Sequence, residues 1–184
     1  RRQRQMCIRD RHYMALDAVT PLPLFMYNVP GRTGVNMTAQ TTVRIARDAK
    51  HIVGVKDASG NMEQGAEIIA QRPTDFLVFS GDDETAIPLT LLGGDGVISV
   101  IAGGFPKAFK HGMDLALEKN EAEATRINQQ FKPIIDLLYQ EGNPAGIKAV
   151  SQLLGLCEAN LRLPLVKPTD ALVAALQPYV SKLN

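Results

Sequence analysis

A lysine, Lys56, ends the apolar run "IVGV" and is followed by the turn-forming residues "DASGN". A lysine rooted in a buried strand is partly desolvated, and desolvation favours the neutral amine. A neutral amine can attack a ketone and form a Schiff base, which withdraws electrons from the neighbouring carbon. The alternative is structural, with a side chain that only extends from the strand end to reach water. The spacing of the residues leaves both interpretations open.

A tyrosine, Tyr27, holds the matching position at the end of an earlier apolar run, "PLFMY". Functional groups of parallel α/β folds collect at the carboxyl ends of the strands, so we expect Tyr27 and Lys56 to face the same mouth. A phenol beside the lysine can move the protons that imine formation requires. The two residue types together indicate carbonyl chemistry.

The segment "NVPGRTG" after Tyr27 predicts a rigid turn that carries Arg32 over the same mouth. Arginine offers a planar fork of donors to a substrate carboxylate. The alternative is an exposed arginine that pairs with a surface acid. The position of Arg32 between two functional strand ends keeps the carboxylate role open.

Three acids, Asp82, Asp83 and Glu84, follow the third apolar run and raise the question of a metal site. They stand at the predicted start of a helix, where acids cap amides and suit the helix dipole, so capping is the preferred interpretation. Their charge disfavours a phosphate at the next loop, "IAGGFP", and so argues against a sugar-phosphate substrate. We predict no metal and no cofactor.

Four short apolar runs predict strands: "PLFMYN" (23–28), "IVGVKD" (52–57), "FLVFSG" (76–81) and "GVISVI" (96–101). Each is apolar on consecutive residues, which is typical of strands covered on both faces in a parallel sheet. Helical patterns separate them, and the pattern after the fourth run is purely helical. Repeated βα units predict a parallel α/β sheet. Four units make either a small open sheet or half of an eightfold barrel, which usually takes about 250 residues.

The composition is that of an ordinary globular protein: 184 residues, 45% hydrophobic, with a formal net charge of +1. This charge gives no reason to expect nucleic acid or an anionic membrane as a partner, and no run approaches the ~18 apolar residues of a membrane span. Two distant cysteines, Cys7 and Cys157, fit reduced thiols of a cytoplasmic protein. We expect the basic segment 1–11 to be a poorly ordered tail of doubtful native origin.

With these residues assembled, the chain resembles the dihydrodipicolinate synthase branch of the pyruvate-dependent class I aldolases, within the N-acetylneuraminate lyase superfamily. The resemblance rests on "YNVPGRTG", "GVKDASGN", "SGDDETAIPLTLLGGDGVISV", "NPAGIKA" and "LRLPL", which occur in the order typical of the family. It covers the chain from about His12 to the C-terminus.

The resemblance implies a fold and a set of roles. The fold is the C-terminal half of a (β/α)8 TIM barrel over residues 12–104, then a final barrel helix and a C-terminal helical extension over 105–184. Lys56 is implied to form the Schiff base with pyruvate, Tyr27 to relay protons, and Arg32 to bind the carboxylate of aspartate semialdehyde. Gly81 and Ile98 are implied to line the pyruvate pocket, Ile98 through its backbone carbonyl.

Three hypotheses for function follow from the resemblance. The first is condensation of pyruvate with aspartate semialdehyde, a step toward diaminopimelate and lysine, by a cytoplasmic homo-oligomer, either a dimer or a tetramer. The second is another aldolase or hydratase-lyase that uses pyruvate with a different aldehyde. The third concerns the 184 residues alone, as a truncated, non-catalytic half-barrel. The resemblance does not include the family's first four βα units, which carry a threonine motif for the pyruvate carboxylate.

Overall fold

The computed structural model describes the backbone of residues 2–183 and the side chains of residues 8–183. The chain forms two units, which are divided between Ile98 and Ser99. The division at residue 104 that the sequence suggested stays a prediction, and each unit is described by itself below.

The first unit is built on a parallel four-stranded sheet, whose strands are β1 (Leu24–Asn28), β2 (Ile52–Asp57), β3 (Leu77–Ser80) and β4 (Gly96–Val97). The strands lie in the order β1-β2-β3-β4, so each is the neighbour of the next one along the chain. In a doubly wound sheet the strand order reverses at a switch point, whereas in a barrel each strand lies beside the next one along the chain throughout. The predicted alternation of strands and helices is confirmed.

Helices α3 (Ala39–Asp48), α4 (Met62–Gln71) and α5 (Asp83–Leu91) connect the strands. Each begins at a side-chain cap: Thr38, Asn61 and Asp82 each accept a hydrogen bond from the backbone amide three residues further on. The capping that the sequence predicted at Asp82 is therefore confirmed.

One face of the sheet packs on these helices. Met26, Val55 and Val78, from three neighbouring strands, are fully buried there against Ile45 of α3 and Ile68 of α4. The continuous apolar runs predicted cover on both faces, and for the second face this is wrong within the described chain. Phe25 is 42% exposed and Tyr27 47% exposed, because every helix that connects the strands packs on the first face.

The fourth strand is shorter than the predicted run 96–101. After Val97 the amide of Ile98 still donates to the Ser80 carbonyl at 2.9 Å. The chain then turns, because Val100 has helical dihedrals (φ −89°, ψ −48°) and the Ser99 hydroxyl accepts from the Ala102 amide at 2.9 Å. A single 3₁₀ turn follows at Ile101–Gly103.

Helix α1 (Arg2–Val19) occupies most of the segment that we expected to be a poorly ordered tail. Arginine, glutamine and methionine are good helix formers, and the helix is fastened to α3 by an ion pair of 2.6 Å between Asp10 and Arg44. The expectation of disorder is therefore wrong for residues 8–11. Residue 1 and the side chains of residues 2–7 lie outside the described part of the chain.

The second unit is helical, as predicted. It contains α6 (Pro106–Leu117), α7 (Glu121–Gln140), α8 (Ala145–Leu153) and α9 (Asp170–Leu183). The rings of Phe105, Phe109 and Phe131 pack together in its core, each at most 1% exposed. Among the helices of the described residues, none has both the length and the apolar character that crossing a membrane requires.

Candidate active site

The carboxyl ends of β1 and β2 bring the predicted tyrosine and lysine together. Tyr27 and Lys56 are register partners in the parallel ladder, so their side chains leave the sheet on the same face. The Lys56 Nζ atom lies 4.3 Å from the centre of the Tyr27 ring, within the range of a cation–π contact. An amine and a phenol in contact are the pair that imine formation and its proton transfers require.

Gly81 follows β3 and borders the path of the lysine side chain. A methyl group at this position would lie 2.7 Å from Cε of Lys56 and 2.8 Å from Cβ of Ala58. Real Cβ atoms are almost never this close to another heavy atom. The Gly81 amide donates to the Asp57 carbonyl at 2.8 Å, which ties the loop to the end of β2. The glycine therefore leaves the space that the lysine occupies.

Ile98 directly follows the fourth strand, which lies two strands away from β2 and Lys56 in the sheet order. Its amide is used in the ladder with Ser80, and its side chain is 52% exposed. Ile98 thus lies on the same rim of strand ends as Gly81. Its proposed role in holding pyruvate through the carbonyl stays a prediction.

Arg32 lies on a one-turn helix, α2 (Pro30–Thr33), where the sequence predicted a rigid turn. Proline at the first position presets the helical φ angle, and Gly34 ends the turn in the left-handed region at φ 67°. The side chain is exposed, and within the described residues its guanidinium has no ion-pair partner. Its donors are therefore free to bind a carboxylate.

Asp82, the first of the three acids after β3, caps helix α5, and Asp83 and Glu84 lie in its first turn. The Asp82 carboxylate accepts from both the amide and the hydroxyl of Thr85 at 2.9 Å. Across the described residues, no group of three or more histidine, cysteine, aspartate or glutamate side chains is arranged to hold a metal ion.

A second tyrosine, Tyr13 on α1, makes a hydrogen bond with the backbone of Tyr27. Burial raises the pKa of its phenol, an effect that the Arg9 charge and this hydrogen bond partly offset.

Sequence reasoning did not single out the residues that directly follow Tyr27 and Lys56. Asn28 and Asp57 follow Tyr27 and Lys56, and the alternation of a strand turns them to the opposite face, where they are 4% and 6% exposed. Their side chains are joined by a hydrogen bond of 2.8 Å. The sequence does contain a signal for Asn28 and Asp57. Each is a polar residue at the end of an apolar run, at a position where the strand alternation predicts a buried side chain.

Comparison with known proteins places this geometry in a family. The model of the dihydrodipicolinate synthetase family matches residues 3–182. The 4-hydroxy-tetrahydrodipicolinate synthase of Phocaeicola vulgatus is 51% identical over 156 residues, which are 85% of this chain and 52% of that protein. The chain thus spans about half the length of the curated relatives it matches.

Solved structures agree with the sequence match. The dihydrodipicolinate synthase of Thermotoga maritima is similar with a TM-score of 0.91 and 35% identity, over 94% of this chain and 60% of that one. The chloride-inhibited synthase of Acinetobacter baumannii, solved in complex with pyruvate, has a TM-score of 0.86 and 38% identity, over 95% of this chain and 60% of that one. The predicted fold, half of a (β/α)8 TIM barrel followed by a helical extension, is confirmed.

Proposed function

Since the chain belongs to the dihydrodipicolinate synthetase family, we propose that the protein carrying it condenses pyruvate with aspartate semialdehyde through a Schiff base on Lys56. The observation that supports this most strongly is the contact between the Lys56 amine and the Tyr27 ring, 4.3 Å from its centre, beside the space that Gly81 leaves. The solved relative in complex with pyruvate supports the choice of the first substrate.

The proposed reaction begins when the Lys56 amine attacks the ketone carbon of pyruvate. Loss of water gives the iminium, with Tyr27 moving the protons between the nitrogen, the oxygen and solvent. The iminium withdraws electrons from the methyl carbon of pyruvate, which loses a proton and becomes nucleophilic. That carbon adds to the aldehyde, whose developing alkoxide takes a proton, and the addition regenerates the iminium. The amino group of the second substrate then attacks the iminium carbon, and the bond from that carbon to the Lys56 nitrogen breaks as this nitrogen takes up a proton.

Arg32 is the proposed partner of the second substrate. Its unpaired fork stands on α2, directly after the strand that carries Tyr27. Aspartate semialdehyde carries a carboxylate, and arginine binds carboxylates through two parallel hydrogen bonds. We therefore prefer a carboxylate-bearing aldehyde to other aldehydes that a pyruvate-dependent aldolase accepts.

Trapping with borohydride tests the proposal. Reduction of the iminium in the presence of pyruvate should attach the substrate permanently to one peptide, which mass spectrometry identifies. We expect the label on Lys56, its loss in Lys56→Arg, and its retention in Lys50→Arg, a control at an exposed lysine. A label on any other lysine in the unsubstituted protein would contradict the assignment. Competition between aldehydes then decides the second substrate.

For the isolated 184-residue chain, as distinct from the protein that carries it, we propose no catalytic turnover. Its sheet exposes one face with Phe25, Tyr27 and Ile98 between 42% and 52% exposed, and the outer edges of β1 and β4 pair with no strand of the described chain. Such faces and edges favour self-association. Size-exclusion chromatography with a condensation assay tests this, and a well-behaved monomer with normal turnover would refute it.

Two further proposals follow from the family resemblance alone. The protein that carries this chain is a homo-oligomer, either a dimer or a tetramer, and it works in the cytoplasm. Light scattering of that protein and fractionation of cells that express it test the two statements.

A further inference from the structure

We propose that Asp57 and Asn28 are positioning residues, which set the geometry of the reactive side chains through a hydrogen-bond network that is buried at Asn28, Asp57 and Gln64 and reaches the surface at Asn36. The network comprises Asn28, Asn36, Asp57, Ser59 and Gln64. It lies on the helix-covered face of the sheet, directly behind Tyr27 and Lys56. The kinetic part of this inference rests on the proposed function, and the structural part does not.

The first arm of the network holds the end of β2. Oδ1 of Asp57 accepts from Nδ2 of Asn28 at 2.8 Å and from the Ser59 amide at 3.1 Å. Oδ2 accepts from the Ser59 hydroxyl at 3.0 Å and from Nε2 of Gln64 at 3.3 Å. The side chain of Asp57 is thus held from the neighbouring strand, from its own loop and from α4. Since Lys56 is the preceding residue, its Cα position depends on the same contacts.

The second arm holds the loop that carries Arg32. The Asn28 side chain accepts from the Met37 amide at 2.9 Å and donates to Oδ1 of Asn36 at 2.9 Å. Asn36 in turn donates to Oε1 of Gln64 at 2.8 Å. The loop leaves β1 at Asn28 and returns to the Asn28 side chain, so both of its ends are fixed at one residue. This closure therefore limits the positions that α2, which lies within the loop, can adopt.

The network fits a positioning role better than a purely stabilising one. Asp57 is 6% exposed and has no ion-pair partner among residues 8–183. A buried polar network of this kind contributes little net stability compared with apolar packing, but it restricts the strands to one arrangement. The backbone hydrogen bonds between β1 and β2 continue beyond Asp57, where the Ala58 amide donates to the Asn28 carbonyl at 2.8 Å. The restricted arrangement is the one that sets Tyr27 opposite Lys56.

Two substitutions separate the two arms in the protein that carries this chain. Asp57→Asn keeps the shape of the side chain but replaces one carboxylate oxygen with an NH2 group, which faces the groups that donate to Asp57. We therefore expect pyruvate trapping at Lys56 to slow by roughly 10- to 100-fold, which is the usual cost of a small misplacement of a reacting group. Asn36→Ala removes the side-chain contacts of Asn36 with Asn28 and Gln64 but leaves all four donors of Asp57 in place, so the KM for the aldehyde should rise about tenfold while the trapping rate stays unchanged. The control is Gln71→Ala, on the same helix as Gln64. The side-chain amide of Gln71 donates to Glu67 at the surface.

A readout that needs no reaction tests the positioning itself. The Tyr27 ring current should displace the NMR signals of the Lys56 Cε protons upfield, because the amine lies over the ring. We expect this displacement to shrink in Asp57→Asn and to persist in Gln71→Ala. If Asp57→Asn fails to fold, Ser59→Ala removes one of the four donor contacts and should give a smaller change in the same direction.

The outcomes distinguish this inference from the proposed function. If the unsubstituted protein traps no pyruvate at Lys56, the proposed function fails, and the ring-current measurement alone decides the positioning role. If the Cε signals keep their displacement in Asp57→Asn and Ser59→Ala, the positioning role is overturned, whatever happens to the trapping rate.

Discussion

The space beside Cε of Lys56 exists because residue 81 is glycine, since a Cβ atom there would come within 2.7 Å of that carbon. The substitution Gly81→Ala should therefore push the lysine side chain off its path past the Tyr27 ring. We expect trapping of pyruvate at Lys56 to fall by about 10- to 100-fold. The control is Gly103→Ala, whose added methyl group would lie at an ordinary 3.6 Å from the Ile147 side chain. Equal trapping in the two variants would contradict the role of Gly81.

The hydroxyl of Tyr27 is expected to act in proton transfer, whereas its ring supports the lysine. Tyr27→Phe retains the ring and removes only the hydroxyl. We expect kcat for condensation to fall by roughly 10²- to 10⁴-fold, the usual contribution of a positioned acid or base, with the Lys56 Cε signals still displaced. A Tyr27→Phe protein with unchanged kcat would show that another group moves the protons.

The guanidinium of Arg32 is expected to act on the second substrate only. Arg32→Ala should raise the KM for aspartate semialdehyde by about tenfold or more, since a charge-assisted hydrogen bond contributes roughly 1.5–3 kcal/mol. Trapping with pyruvate alone should not change. Arg126→Ala, at an exposed arginine paired with Glu123 on α7, serves as the control. A slower trapping reaction in Arg32→Ala would place the arginine at the pyruvate carboxylate instead.

The opposite end of the sheet is held by Arg72, which donates to the carbonyls of Phe76 at 2.8 Å and Gly93 at 3.0 Å and pairs with Asp95. Asp95 also accepts from the Val78 amide at 2.7 Å, so the pair joins β3 to the segment before β4. Arg72→Met should lower the free energy of unfolding by about 2 kcal/mol or more, measured in urea. Arg47→Met, which loses one exposed hydrogen bond, should stay within about 0.5 kcal/mol of the unsubstituted protein.

The contact between Glu141 and Thr169 in the helical unit should make stability depend on acid pH. Two hydrogen bonds from Thr169 lower the pKa of Glu141 below its ordinary value of 4.5, and the bond from the side chain has a larger effect than the bond from the backbone amide. A carboxyl group whose pKa is lower in the folded state than in the unfolded state stabilises the fold at pH values above its unfolded-state pKa. This stabilisation is lost as the pH falls through the folded-state pKa. Thr169→Val should therefore lower the urea midpoint at pH 7, and the difference should shrink below about pH 4.5. A difference that is constant down to pH 3 would contradict this linkage.

Several features of this protein could be predicted from local sequence alone. The apolar runs that end at Asn28 and Asp57 predicted strands β1 and β2, and the acids that begin at Asp82 predicted the start of α5, because strand burial and helix capping depend on residues close in the chain. The same rule of strand ends identified Tyr27 and Lys56 as partners, since the carboxyl ends of parallel strands share one rim. The family motifs then supplied the roles.

Other features were decided only by the tertiary structure. The space that Gly81 leaves beside Lys56 and the hydrogen bond between Asn28 and Asp57 join residues that are far apart in the chain. Such contacts depend on the register of Tyr27 with Lys56 and on which face the helices cover, and local periodicity reports neither. For the same reason the exposed second face of the sheet and the attachment of α1 through Asp10 and Arg44 were not predicted. The sequence determined which residues end the strands, and packing determined which of them touch.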